Sequence, residues 1–224
     1  MKVLLAWSGG KDSAMALYEL RKNEDIEVAG LLTTVTRDYD RISMHGVRVA
    51  LLEQQAEAVG LPLQKVFISK DSSNDGYESA MRETLEKHRA LGVSAVAFGD
   101  IFLEDLKRYR EDKLALVDML GIFPLWKRDT AEMSRAFIGL GFKAIVTCAD
   151  SRAVSGDFAG RQYDESLLSD LPPAADPCFE NGECHSFVYD GPIFSRPIAF
   201  STGEIVLRDE RFWYCDLVPS PPSE

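Results

Sequence analysis

Apolar and polar positions along this chain alternate between short apolar runs and longer amphipathic stretches. Residues 2–7 are rich in strand formers and end in Ser8-Gly9-Gly10, which reads as a buried strand delivered into a tight loop. From Asp12 to Lys22 the apolar residues Ala14, Leu17 and Tyr18 recur at helical spacing. Acid stands at the start of that stretch and Arg21 and Lys22 at its end, as the helix dipole favours. The alternation then predicts a strand near 26–34, a helix near 47–59 stopped by Gly60 and Pro62, and a strand near 63–68. A helix near 77–91 ended by Gly92, a strand at 95–98 and a helix near 106–120 ended by Gly121 come next. A helix starting at Asp129, spaced to Glu132 as in a capping box, leads to an apolar strand at 142–148. Such an order predicts the α/β class, with a mostly parallel, doubly wound sheet carrying helices on both faces.

The pattern changes near residue 150. Residues 151–177 have little regular periodicity and carry Pro172, Pro173 and Pro177, so they read as a connector with one short helix near 163–170. Residues 184–217 read as short strands around turns at Asp190-Gly191-Pro192 and Thr202-Gly203. The expected organisation is an α/β domain over 1–150, opened by the glycine loop, and a small strand-rich C-terminal unit over 151–224, with a frayed tail from Pro219.

Composition narrows the class of partner. The 224 residues are 46% hydrophobic and 27% charged, as in an ordinary soluble domain, and no apolar run approaches the roughly 18 residues of a membrane span. A cytoplasmic address is expected, because the apolar run at the start is too short for a signal-peptide core. A net charge of −11 weighs against nucleic acid. Cys148, Cys178, Cys184 and Cys215 form no C-x-x-C pair, and Cys178, Cys184 and His185 do not have the spacing of a structural zinc site.

Chemistry concentrates at three places. Ser8-Gly9-Gly10-Lys11-Asp12-Ser13 sits where a strand meets a helix N-terminus; free backbone N–H groups and the helix dipole attract anions there, and Lys11 adds positive charge. The spacing is shorter than that of the G-x-x-x-x-G-K-[ST] loop, and no third glycine follows as in a dinucleotide fingerprint. A polyphosphate is the expected ligand, with Asp12 placed to help hold magnesium on it. Gly99-Asp100 follows an apolar strand and would face the same crevice, although the pair also fits a simple strand-ending turn. Glu104 and Arg108 read as a solvated i, i+4 ion pair. Glu180-Asn181-Gly182-Glu183-Cys184-His185 brings two carboxylates, an amide and an imidazole together, suited to proton transfer or to orienting an amine. His45-Gly46 is a further candidate, with a helix-start role as its alternative.

With these residues in view, the loop resembles that of the PP-loop ATP pyrophosphatases, whose fold is of the adenine nucleotide alpha hydrolase-like type. Gly99-Asp100, Pro124-Leu125-Trp126 and the long motif from Asp176-Pro177-Cys178-Phe179-Glu180 through Asp190-Gly191-Pro192 are similar to the diphthine–ammonia ligase (diphthamide synthase) family. The likeness covers residues 2 to about 194. It implies that ATP with Mg2+ adenylates a substrate carboxylate, releasing pyrophosphate, and that ammonia then displaces AMP to form an amide. Lys11 and Asp12 with Ser8, Gly9, Gly10 and Ser13 would hold the nucleotide phosphates, Asp12 would serve the metal, and Gly99 and Asp100 would line the nucleotide site. Glu180, Asn181, Glu183 and His185 would face the substrate, which the resemblance places on elongation factor 2; a homodimer is left open. Phe179, Cys184 and Ser186 depart from the family's usual glycine, aromatic and threonine. The compact length and Ser43-Met44-His45-Gly46-Val47-Arg48 resemble a bacterial branch, for which a different carboxylate, in cobalamin salvage, is the alternative.

Overall fold

The computed structural model describes residues 1–36, 41–42, 46–68 and 74–220, so Ser43, Met44 and His45 lie outside the described residues. Its first sheet uses the apolar runs in turn: β1 (Lys2–Ala6), β2 (Glu27–Thr36), β3 (Arg41–Ile42), β4 (Leu63–Ile68), β5 (Val93–Ala97) and β6 (Leu120–Ile122). Five of these strands pair in parallel, and two-residue β3 pairs antiparallel with the end of β2. The order is β3-β2-β1-β5-β6, with β4 also on β2.

Alternation along the strands sends side chains to two cores, because successive residues of a strand face opposite sides. Leu5, Trp7, Leu31 and Ala97 join α1 (Lys11–Arg21) and α2 (Val49–Val59) on one face. Leu4, Leu32, Val96 and Phe98 join Leu85 of α3 (Asn74–Ala90) and Leu114 of α4 (Glu104–Ala115) on the other. The sheet is therefore doubly wound.

The second part of the chain holds α5 (Thr130–Gly139), β7 (Lys143–Asp150), a 3-10 turn at Gly156–Phe158, α6 (Glu165–Asp170), β8 (Cys184–Asp190), β9 (Phe200–Arg208) and β10 (Phe212–Pro219). Its four strands form an antiparallel sheet in the order β8-β7-β10-β9. Val146, Phe187, Val188 and Cys215 share one continuous core with α1 and α2, so the α1–α2 layer serves both sheets. Among the described residues no helix is long and apolar enough to cross a membrane.

Several sequence expectations are corrected. The helix expected to run to Leu120 stops at Ala115; Asp118 takes a positive φ of 52°, and Leu120–Ile122 pairs with β5 as a sixth strand. Val117 and Met119 are buried in the second core, and turning out of the helix is what lets both reach it. Thr202 and Gly203 lie inside β9, and the turn comes at Asp209 and Glu210, both with positive φ. The strand after α5, expected to close the first sheet, pairs with β8 and β10 in the second. Glu104 pairs with Lys127 at 3.7 Å, where an Arg108 partner was expected.

Asp129 does cap α5, accepting from the Glu132 N–H at 2.8 Å, and Phe137 of that helix is buried and stacked on Phe142 at 4.9 Å. Asp129→Ala is expected to cost about 1 kcal/mol and Phe137→Ala about 3–5 kcal/mol. Denaturant titration of the three proteins measures both, with an unchanged slope as the sign that only native-state contacts were lost.

Candidate active site

The loop after β1 enters α1 with Gly9 at φ 77°, a left-handed conformation suited to glycine. A side chain there would also collide with Gln55, whose Oε1 would stand 2.6 Å from an added Cβ. Gln55 is fully buried in α2 and every polar atom of its amide is used: it accepts from the Trp7 indole N–H at 2.9 Å and donates to the carbonyls of Gly9 at 3.0 Å and Val188 at 2.6 Å. The Val188 N–H donates to the same Gly9 carbonyl at 2.9 Å. The free edge of β8 is thereby fastened to the glycine loop.

Because β2 lies on one side of β1 and β5 on the other, the winding reverses at β1, and ligands of such sheets bind outside the strand ends at this point. A cleft of about 470 Å³ opens there. Its walls include Ser8, Gly10, Lys11, Asp12 and Ser13 of the loop, Thr33 and Thr34 at the end of β2, Gly99 and Asp100 after β5, and Glu180, His185 and Ser186 of the C-terminal part. Gly99 touches Asp12 so closely that an added Cβ would meet the Asp12 backbone at 2.8 Å. A smaller cavity of about 280 Å³ adjoins the cleft between α3, α4 and the sheet, with Arg110 in both walls.

Lys11 is 3% exposed, and its ammonium lies 2.5 Å from Asp12 Oδ1. Burial alone would lower the lysine, but the Asp12 carboxylate overrides it and the net shift is upward, so Lys11 stays charged. Burial raises Asp12 and Asp100; Lys11 draws the first back down and Arg110 the second, while Asp12 pushes Asp100 further up. Arg110 reaches Asp100 at 2.8 Å while lying over the Phe98 ring at 4.2 Å. Glu180 is likewise raised by burial, although its Oε1 accepts from the N–H groups of Ile101 at 2.7 Å and Phe102 at 3.2 Å. A cleft whose carboxylates repel one another suits a cation. Among the described residues no three His, Cys, Asp or Glu side chains form a ready metal cage. Magnesium needs none, since it is commonly held by one or two carboxylates, waters and the phosphates it accompanies; Asp12, in the cleft wall with one oxygen on Lys11, is a carboxylate that could hold it.

The C-terminal cluster divides in two. Glu180 and His185 face the cleft, whereas Asn181 and Glu183 are not among its lining residues. Glu183 is 4% exposed and turned into its own loop, accepting from the Asp176 N–H at 2.8 Å, the Asn181 N–H at 3.0 Å and the Asn181 amide at 3.0 Å. Its place is that of a brace, and Asn181 is the strut it holds. A chain of ring contacts through Tyr18, Phe142, Phe137, Tyr163 and Phe179 fixes the same segment, and Phe179, with φ 59°, ends 5.7 Å from the Lys11 ammonium. Burial, with a smaller contribution from Lys11, pushes the His185 imidazole down to about 4, so it is neutral at neutral pH. A neutral imidazole offers one donor and one acceptor to a ligand, and lowered this far it is a weak base at neutral pH.

Gln55 and Arg110 escaped the sequence reading. The signal for Gln55 was present: it stands with Leu52, Ala56 and Val59 at the spacing of a buried helix face, where an uncharged amide is out of place unless it bonds something. Arg110 carries no comparable mark, since its partner Asp100 lies in the loop after β5, ahead of the helix that carries Arg110.

Gln55→Leu keeps the volume but leaves two carbonyls and an indole N–H without this partner; a loss of about 2–4 kcal/mol of stability is expected, with weaker binding at the loop. Thermal melts with and without ligand test this. His185 carries a second prediction. An imidazole lowered to about 4 when folded binds its proton more readily when unfolded, so its contribution falls as pH drops from about 6.5 toward 4. The raised carboxylates act in the opposite sense, so the difference between wild type and His185→Gln is the readout. The wild type should lose on the order of 2 kcal/mol more than the variant across that window, allowing for its partial exposure.

Comparison with known proteins identifies the family. Residues 1–116 match the Diphthamide synthase N-terminal domain and residues 129–217 the Diphthamide synthase C-terminal domain. The diphthine–ammonia ligase of Schizosaccharomyces pombe is 26% identical over 227 residues, covering 92% of this chain and 37% of that protein. The human diphthine–ammonia ligase is 25% identical over 241 residues, covering 93% of this chain and 86% of its own, and the rat protein is 24% identical over 245 residues with the same coverage. The chain thus spans 37% of the fission yeast relative and most of the mammalian ones. Matched in sequence across both sheets, the chain belongs to the diphthamide synthase family.

Proposed function

We propose that this protein is an ATP-dependent ligase that forms an amide, with AMP and pyrophosphate as products, from ammonia and a carboxylate of the diphthine type carried on an elongation-factor substrate. The observation that carries the reading is the meeting of the glycine loop with the Glu180–Ser186 segment in one cleft, where the Lys11 N–H bonds Ser186 Oγ at 3.2 Å across 175 residues of sequence. A nucleotide-binding sensor would need only the first of these elements. A ligase needs both, one wall to hold the phosphates and another to hold what they activate.

In this reading the substrate carboxylate attacks the α-phosphorus of ATP, the bond from that phosphorus to the bridging oxygen breaks, and the electron pair leaves with pyrophosphate. Lys11 and the amino end of α1 stabilise the charge gathering there. Magnesium bound beside Asp12 would neutralise phosphate charge. Ammonia then attacks the acyl carbon, AMP departs, and the excess proton passes to a base or to solvent; His185 borders the cleft, but lowered to about 4 it is a weak base and serves better as a neutral hydrogen-bonding group. Glu180 orients the wall through the backbone after β5, and Asp100, held by Arg110, borders the nucleotide. Glu183 and Asn181 act one step back, by holding that wall in place.

Chromatography of the nucleotide products with a diphthine-bearing substrate and ammonia is expected to give AMP and pyrophosphate; ADP and phosphate would refute the adenylation reading. Lys11→Ala should weaken ATP binding at least tenfold in calorimetry and lower turnover about 100-fold, in line with loss of one charge-stabilising group. A melting curve establishes that the variant is folded.

A further inference from the structure

Ser186 stands in β8, 4% exposed, yet it is part of the cleft wall. Its oxygen accepts the backbone N–H of Lys11 at 3.2 Å. Lys11 is the first residue of α1, and the residue before it, Gly10, offers no side chain to cap the helix. The hydroxyl from the other sheet therefore caps α1 in place of a local residue.

A hydroxyl donates as well as accepts. Among the described residues, the hydrogen of Ser186 has no acceptor, and accepting from Lys11 polarises the O–H toward donating. The neighbouring hydroxyls are committed differently: Ser13 donates to the Gly10 carbonyl at 2.9 Å, and Ser8 accepts from the Gly10 N–H at 3.2 Å and lies 3.4 Å from Ser13. Ser186 thus combines a seat in the first turn of α1, burial beside the Lys11 backbone, and a free donor in the cleft wall. A helix N-terminus flanked by a buried ammonium is a place for anions, so the group this donor meets is an anionic oxygen.

We infer that Ser186 is a further pyrophosphate-binding residue of the proposed reaction, supplied by the C-terminal sheet, which accepts from Lys11 and donates to an oxygen of the β–γ phosphate pair of ATP. The inference rests on the ATP-cleaving reading of the cleft. As the α-phosphorus parts from the bridging oxygen, negative charge grows on the leaving pyrophosphate, and a positioned donor acts most strongly at that moment. The second sheet then does more than hold the carboxylate substrate, because it also helps release the leaving group.

The test is calorimetric titration of the full chain with magnesium pyrophosphate, magnesium ATP and adenosine, alongside turnover. Ser186→Ala is expected to weaken pyrophosphate and ATP about tenfold, to leave adenosine unchanged, and to lower kcat more than it raises KM. Ser186→Thr keeps both halves of the hydroxyl's role and should behave as wild type. Ser186→Asp keeps an acceptor for the Lys11 N–H but puts negative charge where the donor was, so it should bind pyrophosphate least of all, with a cooperative melt, at a lowered temperature, as the check that it is folded. Unchanged pyrophosphate binding in Ser186→Ala, or an equal loss for adenosine, would overturn the inference while leaving the ATP reading standing. A wild-type protein that binds neither ATP nor pyrophosphate would overturn both.

Discussion

The Gly9 carbonyl is the point on which the rest of the site depends. It accepts from the Val188 N–H and from the Gln55 amide, and Gln55 in turn bonds the Val188 carbonyl and the Trp7 indole. These five groups come from Trp7 just after β1, the loop, α2 and β8, so a single buried knot ties the end of the first sheet's β1 to the second sheet and the helix layer between them. Buried polar groups must find partners, and here satisfying them determines where the loop lies relative to β8. Gly9 contributes by what it lacks, since any Cβ would occupy the space of the Gln55 amide. The position of His185 and Ser186 beside the loop follows from the same junction, because both lie on β8 just before Val188.

Charge placement follows from that geometry. One buried ammonium, Lys11, sits among the carboxylates of Asp12, Asp100 and Glu180, each raised by burial. Such a set is costly to bury by itself; under the proposed function, phosphates beside Lys11 and the helix end, with a divalent cation beside Asp12, would balance it. Arg110 holds Asp100 from α4, and the Asp176 and Glu183 carboxylates are consumed by backbone N–H groups of their own segment. The two parts of the chain contribute unevenly to the cleft: the first supplies the glycine loop, Lys11, Asp12 and Asp100, and the second supplies Glu180, a neutral imidazole and one hydroxyl at the helix end.

Much of this was legible from residue pattern. Strand, glycine loop and helix were readable because Gly9, Gly10 and the apolar run before them allow little else, and the amino cap at Asp129 was readable because capping is local. The nearness of Glu180 and His185 to the loop was expected from the chemistry a ligase requires, and the cleft contains both. What could not be read depends on which partners the folded backbone brings to a side chain or strand. Glu183 and Asn181 looked like reactive groups in sequence, yet the loop's own N–H groups occupy the Glu183 carboxylate. Leu120–Ile122 looked like a helix end because its neighbours are apolar at helical spacing, and only pairing with β5 makes it a strand. Thr202-Gly203 looked like a turn, but its pairing with β10 keeps it extended, and the chain reverses at Asp209-Glu210, where two acidic residues adopt positive φ without a glycine.

The central claim is that the glycine loop and the start of β8 form one site on opposite sides of the same ligand. Amide hydrogen exchange of the full chain, followed with and without ATP and magnesium, tests it most directly. Slowed exchange in residues 8–13 together with residues 180–188, at the same ATP concentration, is the predicted result. Protection confined to residues 8–13, with residues 180–188 exchanging as in the free protein at saturating ATP, would contradict it.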